Sequence, residues 1–225
     1  MATLRLQINE KLFLRDPQET ALGRKIIQSS IKMIDELGLE GFTFKKLSAE
    51  IQSTEASIYR YFESKHKLLI YLMAWYWNWL EYQIDFATNN IQEPKDRLAI
   101  AMKMITEVNV NDDYFPDIDE TALQRIVIYE SDKAYLTKHV DDDNKDGSFL
   151  GYKSLCTKVA SFIKEINPKY KYAHALTSTC LEASHQQIFF SRHLPRLTEH
   201  QYSEGSVHED NYNFLMDMIL KTIDA

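Results

Sequence analysis

Apolar residues recur at three- and four-residue intervals along most of the chain, and polar breaks divide them into about nine helical stretches. The start differs. Leu4, Leu6 and Ile8, then Leu12 and Leu14, alternate as in an extended arm over residues 1–15. Arg5, Lys11 and Arg15 are sparse for a groove-binding arm, so a packing strap is the expected role. Asp16-Pro17-Gln18-Glu19 reads as a helix cap, a proline in the first turn and an acid behind it. Leu22, Ile26, Ser30, Met33 and Leu37 then mark one face, and Gly38 and Gly41, each suited to positive φ, close the helix. Two short helices, Thr43 to about Ile51 and Thr54 to about Tyr61, flank a polar turn.

Ser64 to about Asn89 is expected to be the longest helix. Leu68, Tyr71, Trp75, Trp79, Tyr82 and Phe86 form its apolar face, and Asn78, Glu81 and Asp85 its wet side. Pro94 opens the next helix, with Leu98, Met102, Ile105 and Val108 as its face. After a polar loop over Asn109–Asp117, a helix is expected from about Asp119 to Leu136. Asp141 to Gly147 is acidic but lacks the spacing and closing glutamate of a calcium loop, so it reads as a solvated turn. Helices are then expected at Ser148–Ile166, Lys169–His193 and, past a loop with Gly205, Glu209–Ile223. The predicted fold is all-α.

Composition agrees: 44% of residues are hydrophobic, with only 6 Gly and 5 Pro among 225. No apolar run approaches a membrane span, and the first residues lack a signal-peptide pattern. Cys156 and Cys180 make neither a disulfide framework nor a metal-ligand spacing, so a reducing cytoplasm is the expected home. The net charge of −7 argues against nucleic acid until it is divided. Residues 1–70 hold 11 Lys/Arg against 9 Asp/Glu, and the rest of the chain 15 against 24. Any phosphate contact belongs in the first third.

Two helix starts there are loaded with bases: Lys45 and Lys46 at one, Lys65, His66 and Lys67 at the other. A helix start is partially positive, so each base costs roughly 0.3–1 kcal/mol. The pattern makes sense if an anion docks on both, as phosphates do. A solvated charge run is the plainer reading for either cluster alone.

Residues 22–72 resemble the DNA-binding domain of TetR/AcrR-type transcriptional regulators. The resemblance rests on Gly38, Gly41, Phe42-Thr43, Leu47-Ser48-Ala49-Glu50-Ile51, Ser57-Ile58-Tyr59-Arg60-Tyr61-Phe62, Lys65 and Leu68-Leu69. The chain departs from the family at the turn, where Ile51-Gln52-Ser53 stand for the usual Ala-Gly-Val. Gln52 must make the turn without glycine's freedom. The resemblance implies a helix-turn-helix domain over residues 16–66 and a ligand-binding and dimerisation domain over residues 67–225. Thr43, Tyr59, Tyr61 and Lys65 then become phosphate contacts, with Lys45, Lys46 and Arg60 beside them. Tyr59 as a core residue is the alternative. Thr54, Glu55, Ala56 and Ser57 fall near base edges, where Glu55 either accepts from a cytosine amine or repels nearby phosphates.

The resemblance also implies a homodimer on a palindromic double-stranded operator, released by a small-molecule effector. Trp79, Tyr82, Phe86, Met102, Tyr129 and Tyr152 are candidate walls for an apolar or planar effector, and plain core is the alternative. Ala173, Leu176, Cys180, Ala183 and Gln187, with Tyr212, Leu215 and Ile219, are the expected dimer seam. The rivals are an enzyme and a helical adaptor that keeps the module without reading DNA. Glu182 and His185 share a helix face but make no site, and the sequence has no HExxH pair, glycine-rich phosphate loop or cofactor motif.

Overall fold

A computed structural model describes residues 5–107, 115–200 and 207–224, which contain helices and irregular segments and no strand. Leu4, Val108, most of the Asn109–Asp117 loop and the Gly205 loop lie outside them. Eleven α-helices follow in order: α1 (Ala21–Gly41), α2 (Phe44–Glu50), α3 (Glu55–Tyr59), α4 (Lys65–Thr88), α5 (Pro94–Thr106), α6 (Glu120–Glu130), α7 (Asp132–Tyr135), α8 (Val140–Lys145), α9 (Leu150–Ile166), α10 (Ala173–His193) and α11 (Val207–Ile223). The chain forms two compact units, residues 1–78 with 109–151 and residues 79–108 with 152–225. A division at residue 66 does not coincide with them.

In the first unit the arm is a strap, as expected: Leu6, Ile8 and Leu12 are buried, and Asn9 Nδ2 donates to the Asp146 carbonyl at 2.7 Å. The Asp16-Pro17 cap begins only a 3-10 turn over Pro17–Glu19. The α-helix starts one cap later, where Thr20 accepts from the Gly23 amide. A methyl group on Gly23 would stand 2.3 Å from the Pro17 carbonyl oxygen, so only glycine lets the turn lie against α1. Gly38 takes φ +67° inside α1, while Gly41 adopts no positive φ.

Leu47, Ile58 and Phe62 are wholly buried and close a small core, each contributing about 1.5–3 kcal/mol. The turn between α2 and α3 is a Schellman motif. Gln52 sits at φ 53°, its amide donates to the Ala49 carbonyl at 3.2 Å, and Ser53 N donates to the Ser48 carbonyl at 2.9 Å.

The expected stripe on α4 is half right. From Leu68 to Leu80 every residue except Asn78 is buried, so this stretch is apolar all round rather than amphipathic. Past Leu80 the stripe turns outward: Tyr82 is partly exposed and Phe86 is 77% exposed.

The stretch after α5 is more broken than its pattern predicts. One helix to Leu136 becomes α6 and α7, because the chain turns at Ser131. The acidic turn is the helix α8, and Asp143 within it is buried, which corrects the solvated reading.

In the second unit α5, α10 and α11 pack together. Leu98, Met102, Ile105, Leu215 and Ile219 are buried there, and buried Asn211 donates to the Ser184 carbonyl at 3.1 Å. The dimer seam needs correction here. Ala173, Leu176, Cys180, Leu215 and Ile219 are buried within their own chain, and Ala183, Gln187 and Tyr212 are half-buried. A heptad of small and apolar residues marks burial but does not say which partner covers it.

Candidate nucleic-acid interface

The helix-turn-helix exposes a set of polar side chains around two capped helix starts. Thr43 caps α2, its Oγ1 accepting from Lys46 N at 3.2 Å. Thr54 caps α3 in the same way, accepting from Ser57 N at 3.2 Å, and shares a 2.9 Å hydrogen bond with the Ser57 hydroxyl. Thr43, Lys45, Lys46, Thr54, Glu55, Ala56, Tyr59 and Arg60 are exposed, and Ser57 is half-buried. The Tyr59 ring rests edge-on against Phe44 at 5.0 Å, which fixes the side chain while leaving it 48% exposed. Tyr59 is therefore a supported surface tyrosine. Lys46 Nζ donates to the Gly41 carbonyl at 2.7 Å and keeps two further donors. Short or well-anchored side chains on a helix start, with bases beside them, suit close approach to a phosphate backbone.

Two expected phosphate contacts lie elsewhere. Tyr61 is 2% exposed, and its hydroxyl shares a 2.7 Å hydrogen bond with Thr20 Oγ1. It ties α1 to the end of α3 and is removed from the DNA-facing set. Lys65 is half-buried, with Nζ donating to the Leu39 carbonyl at 2.9 Å and more weakly to that of Phe42 at 3.5 Å. Its charge sits on carbonyls at the end of α1, a favourable place for a cation.

The other bases at the start of α4 also find an internal partner. Asp143 accepts from Lys67 Nζ at 2.7 Å and sits 3.1 Å from His66 Nε2. Burial pushes the Asp143 carboxyl up, but the hydrogen bonds and charges of Lys67 and His66 outweigh it and hold its pKa below the ordinary aspartate value. The anion this helix start demanded is supplied by the chain itself.

Two further links bind the segment 115–151 to the helix-turn-helix. Arg125 on α6 holds Asp35 on α1 with two hydrogen bonds, at 2.9 and 2.7 Å. Glu130 accepts from the Leu39 amide at 3.0 Å, just past the Gly38 kink, and pairs with Lys133 at 2.7 Å. Sequence spacing carried no sign of these pairings, whose partners lie about ninety positions apart.

The candidate effector walls are divided between the two units. Tyr129 belongs to the first unit, and Trp79, Tyr82, Phe86, Met102 and Tyr152 to the second. Trp79 and Met102 are buried, and the Tyr152 hydroxyl donates to Glu182 at 2.6 Å. Tyr82 and Phe86 line an open groove of about 520 Å³ with Arg97, Lys158 and Phe162. Glu182 is thus engaged by Tyr152, and burial holds the His185 pKa near 4, so that imidazole stays neutral at physiological pH. The described residues hold no metal-binding cluster and no helix long and apolar enough to cross a membrane.

A capped helix-turn-helix with exposed bases and a supported tyrosine is the arrangement of a nucleic-acid-binding module. Residues 26–72 match the sequence model of the family described as bacterial regulatory proteins, tetR family. Solved structures agree on the fold. A putative tetR family transcription regulator from Shewanella sp. PV-4 superposes with a TM-score of 0.61 at 11% identity, over 91% of this chain and 98% of that one. AibR, in complex with isovaleryl coenzyme A and operator DNA, gives 0.58 at 14% identity, over 87% and 97%. The ketosteroid transcriptional regulator KstR2 of Mycobacterium tuberculosis gives 0.53 at 14% identity, over 96% and 95%. No curated protein matches the chain.

Proposed function

We propose that the protein is an effector-controlled transcriptional regulator, acting as a repressor in the cytoplasm, that binds a palindromic operator as a homodimer. One observation carries the reading: Thr43, Lys45, Lys46, Thr54, Glu55, Ala56, Tyr59 and Arg60 are all exposed on and beside the two capped helices of the module. Lys45, Lys46, Thr43, Tyr59 and Arg60 hold phosphates. Thr54, Glu55, Ala56 and Ser57 meet base edges, where the Ala56 methyl suits a thymine methyl. Paired modules reach successive major grooves only if they stand one DNA turn apart, roughly 34–36 Å. The outward faces of α10 and α11, including half-buried Ala183, Gln187 and Tyr212, form the dimer contact.

Control follows from the links inside the first unit. Arg125, Glu130 and Asp143 join α6 and α8 to the helix-turn-helix, so a ligand that displaces them moves the reading head. The ligand needs only a preference for the displaced state. Its link to AibR and KstR2 is analogy: both are regulators, and AibR is seen with an acyl-coenzyme A and operator DNA.

Selection from random duplexes tests the reading. A recovered palindrome with half-sites one turn apart supports it, and recovery of no sequence leaves a helical adaptor instead. Light scattering tests the dimer: Ala183→Arg should yield monomers.

A further inference from the structure

The first unit encloses a cavity of about 340 Å³, lined by the arm, the Pro17–Glu19 turn, α1, α4 and the loop before α6. That is the lower end of the range for small-molecule sites. Trp75 and Phe115 supply aromatic walls, packed edge-to-face at 5.2 Å. Three charged side chains reach it: Arg5, Arg24 and Asp117. Arg24 Nε lies 3.4 Å from Asp117, and Arg24 Nη1 donates to the Gln18 carbonyl at 3.0 Å. Arg5 is exposed and pairs with no acid among the described residues, while Asp16 lies near enough to act on Tyr71.

The second observation is Tyr71. It lines the cavity, is 0% exposed, and its hydroxyl makes no hydrogen bond within normal geometry. Its polar neighbour is the Gln18 amide, which gives one N–H to the Leu6 carbonyl at 3.1 Å and can direct the other at the phenol oxygen, leaving the Tyr71 O–H itself without an acceptor. Desolvation, with Asp16 nearby, raises the Tyr71 pKa well above its ordinary value, so the phenol is a permanent O–H donor. A buried donor without an acceptor is costly and uncommon. Ser30 also has an orphaned hydroxyl but lines no cavity, so it suggests no ligand.

We propose that this cavity binds a small planar carboxylic acid, whose carboxylate accepts from Tyr71 and faces Arg24 while its apolar body lies against Trp75 and Phe115. The inference rests on the effector-controlled reading and moves the effector from the expected aromatic walls to the first unit. Arg5 draws the anion to the rim. The acid displaces nothing that is satisfied, since the Arg24 guanidinium retains donors beyond those given to Gln18 and Asp117. Because the walls include α1, α4 and the loop leading into α6, occupancy bears on the elements that position the reading head.

The test uses the full chain without DNA: calorimetry with benzoate and phenylacetate, and with benzamide and phenylacetamide as neutral matches. The acids should bind at least about tenfold tighter than the amides, as charged hydrogen bonds outrank neutral ones. Tyr71→Phe removes the orphaned hydroxyl, so its thermal midpoint should stay level or rise while acid affinity falls about tenfold. Arg24→Gln should lower acid affinity and spare the amides. Absence of acid binding, equal binding of acid and amide, or unchanged acid affinity in Tyr71→Phe each overturns the proposal. A gel shift on the same samples separates the two readings. Operator binding without acid binding sinks the cavity alone, and acid binding without operator binding sinks the regulator reading.

Discussion

At the start of α2, Lys45 and Lys46 lie open to solvent. At the start of α4, His66 and Lys67 close on a buried carboxylate from α8, and Lys65 turns back to the carbonyls at the end of α1. Both helix starts carry bases against their own dipole, and both call for an anion. At α4 the chain answers with Asp143. At α2 no acid among the described residues meets them, and what remains is a pair of bases beside a capped reading helix, with Lys46 leaning on the Gly41 carbonyl. An unfavourable local charge therefore says that a partner exists, and only the fold says whether that partner is inside.

The comparison breaks most sharply at Asp143. Asp143→Ala strands two bases and should cost roughly 2–3 kcal/mol in urea denaturation, where Lys45→Ala should change stability by less than about 0.5 kcal/mol. Its pH dependence has a definite sign. The Asp143 pKa is lowered in the folded state, so its contribution is complete above the ordinary aspartate value of about 3.9 and is lost as pH falls through the folded value. Asp143→Asn should flatten that acid limb. His185 acts higher, because its folded pKa of about 4 lies below the ordinary value, so stability falls as pH drops from about 6.5 toward 4. The two limbs should separate in a pH series of denaturation midpoints.

Lys65→Met should cost about 1 kcal/mol, because the Leu39 and Phe42 carbonyls lose their cation. A loss of operator affinity with no loss of stability would return Lys65 to the phosphate set. The smallest effect is at the turn. Gln52→Gly removes a left-handed strain at φ 53° and should raise stability by about 0.5–1 kcal/mol, read from the urea midpoint at constant slope.

The helix-turn-helix was legible in the sequence because its signals are local. Thr43 and Thr54 cap where their positions predict, Gln52 holds the positive φ its place in the turn demands, and Leu47, Ile58 and Phe62 close the core. What periodicity cannot convey is the identity of the covering surface. Leu176 and Cys180 are already buried within their own chain, where α10 packs against α5 and α11. Tyr82 and Phe86 continue the α4 stripe in sequence yet face outward. Asp143 looks like one acid among several in a wet turn, since nothing local marks which aspartate of a run will meet bases 76 positions away. The cavity is invisible for the same reason: its arginines, tyrosine and aromatics come from four separate stretches.

The salt dependence of operator affinity tests the central distinction most directly. Removing one phosphate-binding base lowers the slope of log affinity against log salt by about 0.9. Lys45→Ala with Lys46→Ala should reduce the slope by about 2 while leaving stability nearly unchanged. His66→Gln with Lys67→Met should lower stability and leave the slope where it was. An equal fall in slope for both pairs would place phosphate at the start of α4 and contradict the assignment of Asp143 as its anion.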